Sequence, residues 1–358
     1  MKFPRINLSL AGVGLFLMGS VSWAQSISMS YVTVGNPGNV PDSSTGSLYG
    51  EVNYSYNIGE YDVTDSQYCT FLNEVDPTGA NVLGLYSGGL NSGDTSRNAE
   101  YGLTYNSGAA NGSKYSVING YANMPVGNVD YWDTLRFVNW MNNGEGNAST
   151  ETGAYTLTGG NTDGNGTPSN AADLLANPQH NAGATVWLPS EDEWYKAAYY
   201  DPANGTYTTY ATQSDTIPGS TIGGGSNEAN WYGNDGFSVT QSPTYVSSTN
   251  YLTAVGSYTN SASYYGTYDQ TGDVNNWLDT TVDSDSALVR GGWWGDSYPP
   301  DMSASYSLAD DPTTSYYGIG FRVAAVPEPS TWAMMAAGVA SLLVFRRRND
   351  ASPSILRA

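Results

Sequence analysis

The chain has 358 residues, enough for one large domain or two ordinary ones, and a net charge of −21 from 33 acidic and 12 basic residues. Half of the basic residues lie near the two ends, so the centre of the chain is more acidic still. Because nucleic-acid affinity depends on cationic contacts to phosphate, this balance argues against nucleic-acid binding and favours divalent cations as partners.

The first 24 residues have the three parts of a secretory signal. Lys2 and Arg5 form the charged start, Leu8–Met18 the apolar core and Ser22–Ala24 a small-x-small cleavage site. The apolar run is shorter than the roughly 20 residues that span a bilayer, which disfavours the alternative of an N-terminal anchor. We therefore expect export, cleavage by signal peptidase and a mature chain that begins near Gln25.

The C-terminal end carries a second targeting signal. Val326–Ser330 (VPEPS) precedes an apolar stretch, Trp332–Phe345, and then Arg346–Arg348. This order resembles the PEP-CTERM sorting signal of Gram-negative bacteria over residues 326–348. The resemblance implies processing by an exosortase and a location in the cell envelope or outside the cell. Before processing, the apolar stretch predicts a transmembrane segment with the arginines on the cytoplasmic side; a tail follows at 349–358.

Between these ends we expect a Gly-, Asn- and Ser-rich leader at 25–48 and one domain at 49–325. Thr64–Gln67 is a capping box that predicts a helix with Tyr68, Phe71 and Leu72 on one side. Asp130 predicts the start of a second helix, which ends at Asn142–Gly144. Residues 144–184 are low in apolar content and predict a long surface excursion.

Cys69 is the only cysteine of the chain, so no intrachain disulfide can form. It lies on the first predicted helix and is interpreted as a structural side chain. His180, the only histidine, lacks a second His or Cys for a zinc site of the usual kind and is interpreted as a loop residue.

The second half of the domain opens on a strand, a helix start and a loop. Val186–Leu188 predicts a strand, and Ser190–Glu193 is a capping box that opens a third helix. Glu191 and Asp192 are interpreted as helix starters rather than as a catalytic pair. Leu288–Ala325 predicts two strands that enclose a long loop, the kind of segment that often holds a site.

Several segments in this order resemble the formylglycine-generating enzyme, or sulfatase-modifying factor, family. They run in order from Glu60–Thr64 to Gly320–Arg322, include Trp187–Trp194 (WLPSEDEW) and Arg290–Gly292, and together cover roughly Tyr49 to Ala325. The resemblance implies a single α+β domain related to the C-type lectin fold, with little regular secondary structure.

In that family a pair of cysteines binds copper(I), and the enzyme converts a substrate cysteine into formylglycine. The corresponding positions, on the loop after Gly291–Gly292, are Asp296 and Asp301 here. Carboxylates do not replace soft thiolates around copper(I). We therefore expect no copper and no formylglycine-generating activity.

The resemblance also implies two calcium sites, whose mixed carboxylate, amide and carbonyl oxygens suit that ion. The first is formed by Asn230, the Trp231 carbonyl, Asp235 and the Phe237 carbonyl. The second is formed by Asp269, the Gly272 and Val274 carbonyls and Asn276.

Three functions stay open. The first is binding of a surface glycan or extracellular polysaccharide, with aromatic candidates for stacking at Trp293, Trp294, Tyr298, Tyr316 and Tyr317. The second is an enzyme of altered chemistry, with Asp296 and Asp301 as an acid–base pair. The third is a passive component of the extracellular matrix.

Overall fold

The structure, a computed structural model, describes residues 26–87 and 102–327, so the predicted signal segment and most of the predicted sorting segment lie outside the described residues. Short elements are joined by long irregular segments. The helices are α1 (Asp65–Val75), α2 (Tyr131–Asn142), α3 (Ala171–Ala176) and α4 (Glu191–Tyr199). The strands are β1 (Tyr31–Val34), β2 (Tyr56–Gly59), β3 (Leu103–Tyr105), β4 (Tyr115–Val117), β5 (Val186–Trp187), β6 (Tyr200–Asp201), β7 (Thr206–Tyr207), β8 (Tyr232–Gly233), β9 (Gly236–Phe237), β10 (Asn275–Asp283), β11 (Ser286–Arg290), β12 (Leu308–Asp310), β13 (Ile319–Gly320) and β14 (Ala324–Ala325).

The three longer helices each begin at a capping box. The cap residues are Thr64, Asp130 and Ser190, and each accepts a hydrogen bond from the backbone N–H three residues on, whose side chain accepts one in return. These reciprocal bonds satisfy donors that a helix start otherwise leaves unpaired. The predicted starts of α1, α2 and α4 are thereby confirmed. The short α3 lies within the predicted surface excursion.

The first sheet has the strand order β1-β2-β14-β5, and all neighbours are antiparallel. Ile58 of β2 lies opposite Val32 on one side and Ala324 on the other. The end of the domain is therefore an inner strand of this sheet. Its edge strand β1 comes from the segment that the sequence assigned to a leader, so part of that segment belongs to the folded body.

The second sheet has the order β12-β11-β10-β13, in which β10 pairs antiparallel with β11 and parallel with β13. The stretch from β11 to β13 thus starts on one side of β10, adds the edge strand β12 next to β11, and ends on the other side of β10. The two predicted strands are confirmed, and the long loop between them also contains the short strand β12. We call the connecting segment, residues 291–318, the site loop.

The core is rich in aromatic side chains. Phe137 on α2 lies at the centre of one cluster, with ring centroids 5.3 Å from Phe71, 5.4 Å from Trp140 and 5.1 Å from Phe321. Such edge-on and tilted contacts join α1, α2 and the C-terminal segment. Large packed rings replace the regular structure that the body lacks, and they hold its irregular segments in place.

Across residues 26–87 and 102–327, none of the helices is both long and apolar enough to span a membrane. The apolar stretch for which a transmembrane segment is predicted falls outside these ranges.

Candidate functional site

The site loop begins with a turn at Gly291 and Gly292, where φ is +114° and +77°. Backbone angles of this kind are open to glycine and rarely to other residues. The space is closed as well, since a Cβ on Gly292 would lie 2.4 Å from Met302 Cγ. The N–H of Gly292 donates to Asn275 Oδ1 at 2.8 Å. The turn therefore fixes the start of the loop against β10.

Arg290, the last residue of β11, holds the far part of the loop. Its guanidinium forms an ion pair with Glu191, with Nη2 2.5 Å from Oε1. It also donates to the carbonyls of Ala304 and Tyr306 at 3.1 and 2.6 Å. Glu191, predicted only as a helix starter, thus also links α4 to the site loop through Arg290.

Asp296 ties the loop to itself. Its Oδ2 accepts the N–H of Trp293 at 2.9 Å, and its own N–H donates to the Trp293 carbonyl at 3.0 Å. Asp301 lies in a 3₁₀ turn at Pro299–Met302 and is partly exposed. Burial, with a smaller contribution from the negative charge of Asp301, raises the pKa of Asp296 to about 6. The two carboxylates are near enough to interact, and Asp296 has a structural role in the loop.

The loop packs against a group of aromatic residues that we call the aromatic cluster. Trp294 lies at its centre and is only 3% exposed. Tyr251 stacks on Trp294 with ring centroids 4.9 Å apart, and Tyr245 lies nearly parallel to Trp294 at 6.4 Å. The cluster consists of Tyr232, Phe237, Tyr245, Tyr251, Trp293, Trp294, Tyr316 and Tyr317. Because Trp294 is buried, it packs beneath the exposed rings of the cluster and is not available to contact a ligand directly.

The other predicted stacking residues reach the surface to different degrees. Trp293 is half-buried and meets Tyr316 and Tyr317 edge-on, with centroids 5.6 and 5.3 Å apart. The Trp293 ring packs directly on Gly318, because a Cβ atom added to that glycine would lie 2.9 Å from the ring. The Tyr316 hydroxyl donates to the Tyr317 hydroxyl at 2.8 Å. Tyr298 is 63% exposed and offers the most open ring of the site loop.

Sequence analysis missed Tyr232, Tyr245 and Tyr251. Tyr245 is 45% exposed, and its hydroxyphenyl ring covers the buried pair formed by Tyr251 and Trp294. The surrounding residues, 240–250, are mostly polar and carry no motif or periodicity. Nothing in that pattern signals that two of the 29 tyrosines of the chain complete the cluster.

The first predicted calcium site surrounds the β8–β9 turn. The Asn230 Oδ1 atom is buried and has no hydrogen-bond partner, while its Nδ2 donates to the Tyr251 carbonyl and to Asp273 Oδ1. Asp235 is exposed. The Trp231 carbonyl accepts from Gly233 N–H and Ser238 Oγ, and the Phe237 carbonyl accepts two backbone N–H groups. The Oδ1 atom of Asn230 is therefore open to a ligand and the carboxylate of Asp235 is exposed, while the two carbonyls would share their lone pairs with existing hydrogen bonds.

The residues of the second predicted calcium site do not fit the ion. Asn276 Oδ1 accepts from Trp194 Nε1 and from Arg322 Nε, both at 2.8 Å, and Nδ2 donates to Asp62. A cation bound to that oxygen would meet the guanidinium of Arg322. Asp269 Oδ2 accepts the N–H of Gly256 at 2.7 Å. Asp269 and the carbonyls of Gly272 and Val274 remain, and without Asn276 they offer fewer oxygen atoms than calcium prefers.

The remaining candidate residues have structural surroundings. Burial raises the pKa of Cys69 to about 11, as expected for an inert thiol. His180 packs against Trp187, with ring centroids 4.6 Å apart. In the part of the chain that the structure describes, no group of three or more His, Cys, Asp or Glu residues could hold a metal ion.

A cavity of about 870 Å³ opens beside α1 and β4, away from the site loop. Its polar walls include Asn73 and Glu74. The Asn73 amide is bonded to both backbone groups of Tyr115, and Glu74 Oε2 accepts from Trp140 Nε1 and Gly146 N–H. These two lining groups are hydrogen-bonded within the protein, and no residue of the site loop lines the cavity.

These features describe a single mixed α and β domain with few helices, whose site loop rests on packed aromatic residues. The chain belongs to the family described as sulfatase-modifying factor enzyme 1-like domain, which matches residues 37–326. Its end matches the PEP-CTERM protein-sorting motif over residues 325–348, a signal for export to the envelope and exosortase-type processing. The predicted family, the α+β fold and the sorting signal are confirmed.

Several solved structures are similar to most of the chain. CarF has 19% sequence identity and a TM-score of 0.50, with 84% of this chain and 99% of that chain covered. The Treponema denticola variable protein 1 has 15% identity and a TM-score of 0.47, with 85% and 98% covered. PvdO from Pseudomonas aeruginosa has 18% identity and a TM-score of 0.38, with 84% and 92% covered. At 19% identity, the likeness to CarF concerns the fold alone. Among curated proteins, none matches this chain.

Proposed function

We propose that the protein is an exported, non-oxidase member of its family that binds a neutral glycan at the aromatic cluster. The observation that carries this proposal is the cluster itself, which lies against the loop where the related oxidases keep their cysteine pair. The whole chain has one cysteine, and that residue lies on α1. With Asp296 and Asp301 on the loop, copper(I) has no thiolate ligands there.

The exposed rings of the site suit a sugar. Tyrosine combines an apolar ring with a hydroxyl, so it can stack on the C–H face of a sugar and hydrogen-bond to its hydroxyl groups. Tyr298 and Tyr245 are the most exposed rings at the site. Trp293, Tyr316 and Tyr317 are half-buried. The packing of the cluster holds these rings and Tyr245 in place, while Tyr298 adds an open ring four residues after Trp294 on the same loop.

Charge favours a neutral glycan over an anionic one. Within residues 26–87 and 102–327, every lysine and arginine is buried, and the most exposed of them, Lys114, is 8% exposed. The charges on the described surface are therefore those of carboxylates. A polymer that carries phosphate, sulfate or carboxylate would be repelled by this surface and would find no exposed cation to pair with.

A glycan array probed with the purified chain tests the proposal. We expect retention on neutral glycans, and about three- to tenfold weaker binding for Tyr298→Ala or Tyr245→Ala, because an aromatic contact contributes about 0.5–1.5 kcal/mol. Tyr105→Ala is the matched control, since Tyr105 is 37% exposed on β3, away from the site. An array without hits would contradict binding and would favour a passive matrix component.

Within the same proposal, calcium binds at the first site and stabilises the turn between β8 and β9. The unpartnered Oδ1 of Asn230 and the exposed carboxylate of Asp235 support this assignment. We expect a higher melting temperature in calcium than in EDTA, because an ion that binds only the folded state stabilises it. Asp235→Asn should reduce the shift, whereas Asp285→Asn, which alters an exposed carboxylate on the β10–β11 turn, should not. The absence of any shift in the wild-type chain would refute calcium binding.

The alternative of an enzyme with altered chemistry is supported by the pKa of Asp296, which is raised to about 6. A carboxyl group with a raised pKa can act as a general acid near neutral pH. The two proposals differ in one measurement, the release of new reducing ends from a glycan that the chain retains. We expect none; release that disappears in Asp296→Asn, with binding preserved, would establish the enzymatic alternative.

A further inference from the structure

A groove of about 570 Å³ lies where three segments of the chain meet. Its lining comes from residues 40–44, from residues 205–209 with Asp215, and from Ala304 and Ser305 in the far part of the site loop. Sites for small ligands commonly have volumes of about 300–1,000 Å³. The residues of the aromatic cluster and of the first predicted calcium site do not line this groove, so it is a separate feature of the surface. We call it the polar groove.

Hydrogen bonds between the three segments hold the polar groove in shape. The Tyr207 hydroxyl on β7 donates to the Val40 carbonyl at 2.9 Å. The Ala304 N–H donates to the Thr209 carbonyl at 2.8 Å, and Arg290 donates to the Ala304 carbonyl at 3.1 Å. Because each segment is bonded to another, little order has to be gained when a ligand enters, and this favours binding.

Hydroxyl groups dominate the polar part of the lining. Seven of the 13 lining residues are serine, threonine or tyrosine. Ser43, Ser44 and Thr206 are exposed, and within the described part of the chain no hydrogen bond engages their hydroxyl groups. A hydroxyl group can donate or accept, so these open groups can pair with the hydroxyl groups of a sugar in either direction.

The charges and the apolar part of the lining narrow the class of ligand further. The lining has two carboxylates, Asp42 and Asp215, and no lysine or arginine, so an anionic ligand has no cation to pair with. Both oxygen atoms of Asp42 accept hydrogen bonds within the protein. Val40, which is 64% exposed, and Pro41 offer apolar surface to the C–H groups of a sugar ring. Open hydroxyl groups beside a small apolar surface fit a neutral ligand with many hydroxyl groups.

We infer that the polar groove is a second binding site for a neutral glycan. The inference rests on the proposed function and deepens it, because it gives the same class of ligand a second contact on the same loop. Ser305 in the groove follows Tyr298 by seven residues, so the two lie at most about 25 Å apart. The far part of the site loop, which Arg290 holds in place, then takes part in glycan binding.

Hydrogen–deuterium exchange of the purified chain locates the contacts of each site separately. The probes are short neutral oligosaccharides of glucose, galactose or mannose. We expect slower exchange both in residues 205–209 and in residues 293–298, and Tyr298→Ala should keep the protection at 205–209. Protection of 293–298 alone would overturn the inferred site and leave the proposed function intact. Protection of 205–209 alone would support the polar groove and contradict binding at the aromatic cluster, and no protection in either range would contradict both.

Two substitutions then test the polar groove by affinity. Thr206→Val removes one open hydroxyl group with little change in shape, and we expect about two- to tenfold weaker binding, the loss expected for one hydrogen bond. Ser44→Trp fills the groove and should weaken binding at least as much. Ser113→Trp is the matched control, because it places the same bulky side chain at an exposed position in the cavity beside α1. Wild-type affinity in both groove variants, with unchanged urea unfolding, would overturn the inferred site.

Discussion

Replacing Arg322 by methionine is expected to lower the free energy of unfolding by about 3–5 kcal/mol, the range for a buried ion pair that loses one partner. Arg322 is fully buried, and its Nη2 lies 2.8 Å from Asp62 Oδ1. It also donates to Asn276 Oδ1 and to the carbonyls of Gly59 and Tyr268. Its loss would leave the buried carboxylate of Asp62 without a counter-charge and would remove one of the two donors to Asn276 Oδ1.

Urea unfolding of the variant and the wild type measures this effect. A double variant, Arg322→Met with Asp62→Leu, should regain part of the loss, because it removes the unpaired charge as well. Asp285→Asn controls for the removal of an exposed charge and should change stability by less than about 0.5 kcal/mol. Recovery of Arg322→Met by added calcium would show that the second calcium site exists after all, against the fit of its residues.

Helix starts were the part of the fold that local sequence predicted best. A capping box needs only two side chains three residues apart, so Thr64–Gln67 and Ser190–Glu193 carry the whole signal. The long loop between β11 and β13 was also predictable, since its flanking strands and its Gly-Gly turn are local features. The pairing of those strands with β10 depends on contacts that no local pattern encodes.

Polar residues were predicted by type but not by orientation. Asn276 has an oxygen that suits calcium, yet this oxygen accepts from Arg322, 46 residues away in sequence. Glu191 has the position of a helix starter, and it also binds Arg290, 99 residues away. A resemblance to a family places such residues in order along the chain. It does not determine which partner each side chain meets once a neighbouring residue differs.

Aromatic residues posed a different difficulty, because a sequence with 29 tyrosines and 10 tryptophans offers many equivalent candidates. Trp293 and Trp294 are adjacent, but only the second is buried, and Tyr245 joins them from a separate loop. The exposure of a ring is decided by the packing of distant segments. The aromatic cluster therefore had to be found in three dimensions, whereas the absence of a cysteine pair could be read directly from the sequence.

Stability should fall as pH rises from about 4 to about 7, and the Asp279→Asn variant should show a flatter dependence. Asp279 on β10 is buried, accepts from the Tyr155 hydroxyl at 2.8 Å and lies near Glu193. Burial, followed by the negative charge of Glu193, raises the pKa of Asp279 to about 7. Asp133, buried beside Asp130 and Arg136 on α2, also has its pKa raised to about 7 by burial.

The sign follows from proton binding. In the unfolded chain each of these aspartates titrates near pH 4, so between pH 4 and 7 the folded state binds more protons and loses stability as pH rises. At pH 8 the wild type therefore keeps two costly buried charges, while the amide that replaces the Asp279 carboxyl in the variant stays neutral. We expect Asp279→Asn to be more stable than the wild type at pH 8, by up to a few kcal/mol, and to differ little at pH 4.5. Urea unfolding at pH 4.5, 6 and 8 measures the difference, with Asp285→Asn as the exposed control. If Asp279→Asn were less stable than the wild type at pH 8, the Asp279 carboxylate would be stabilised in its charged form.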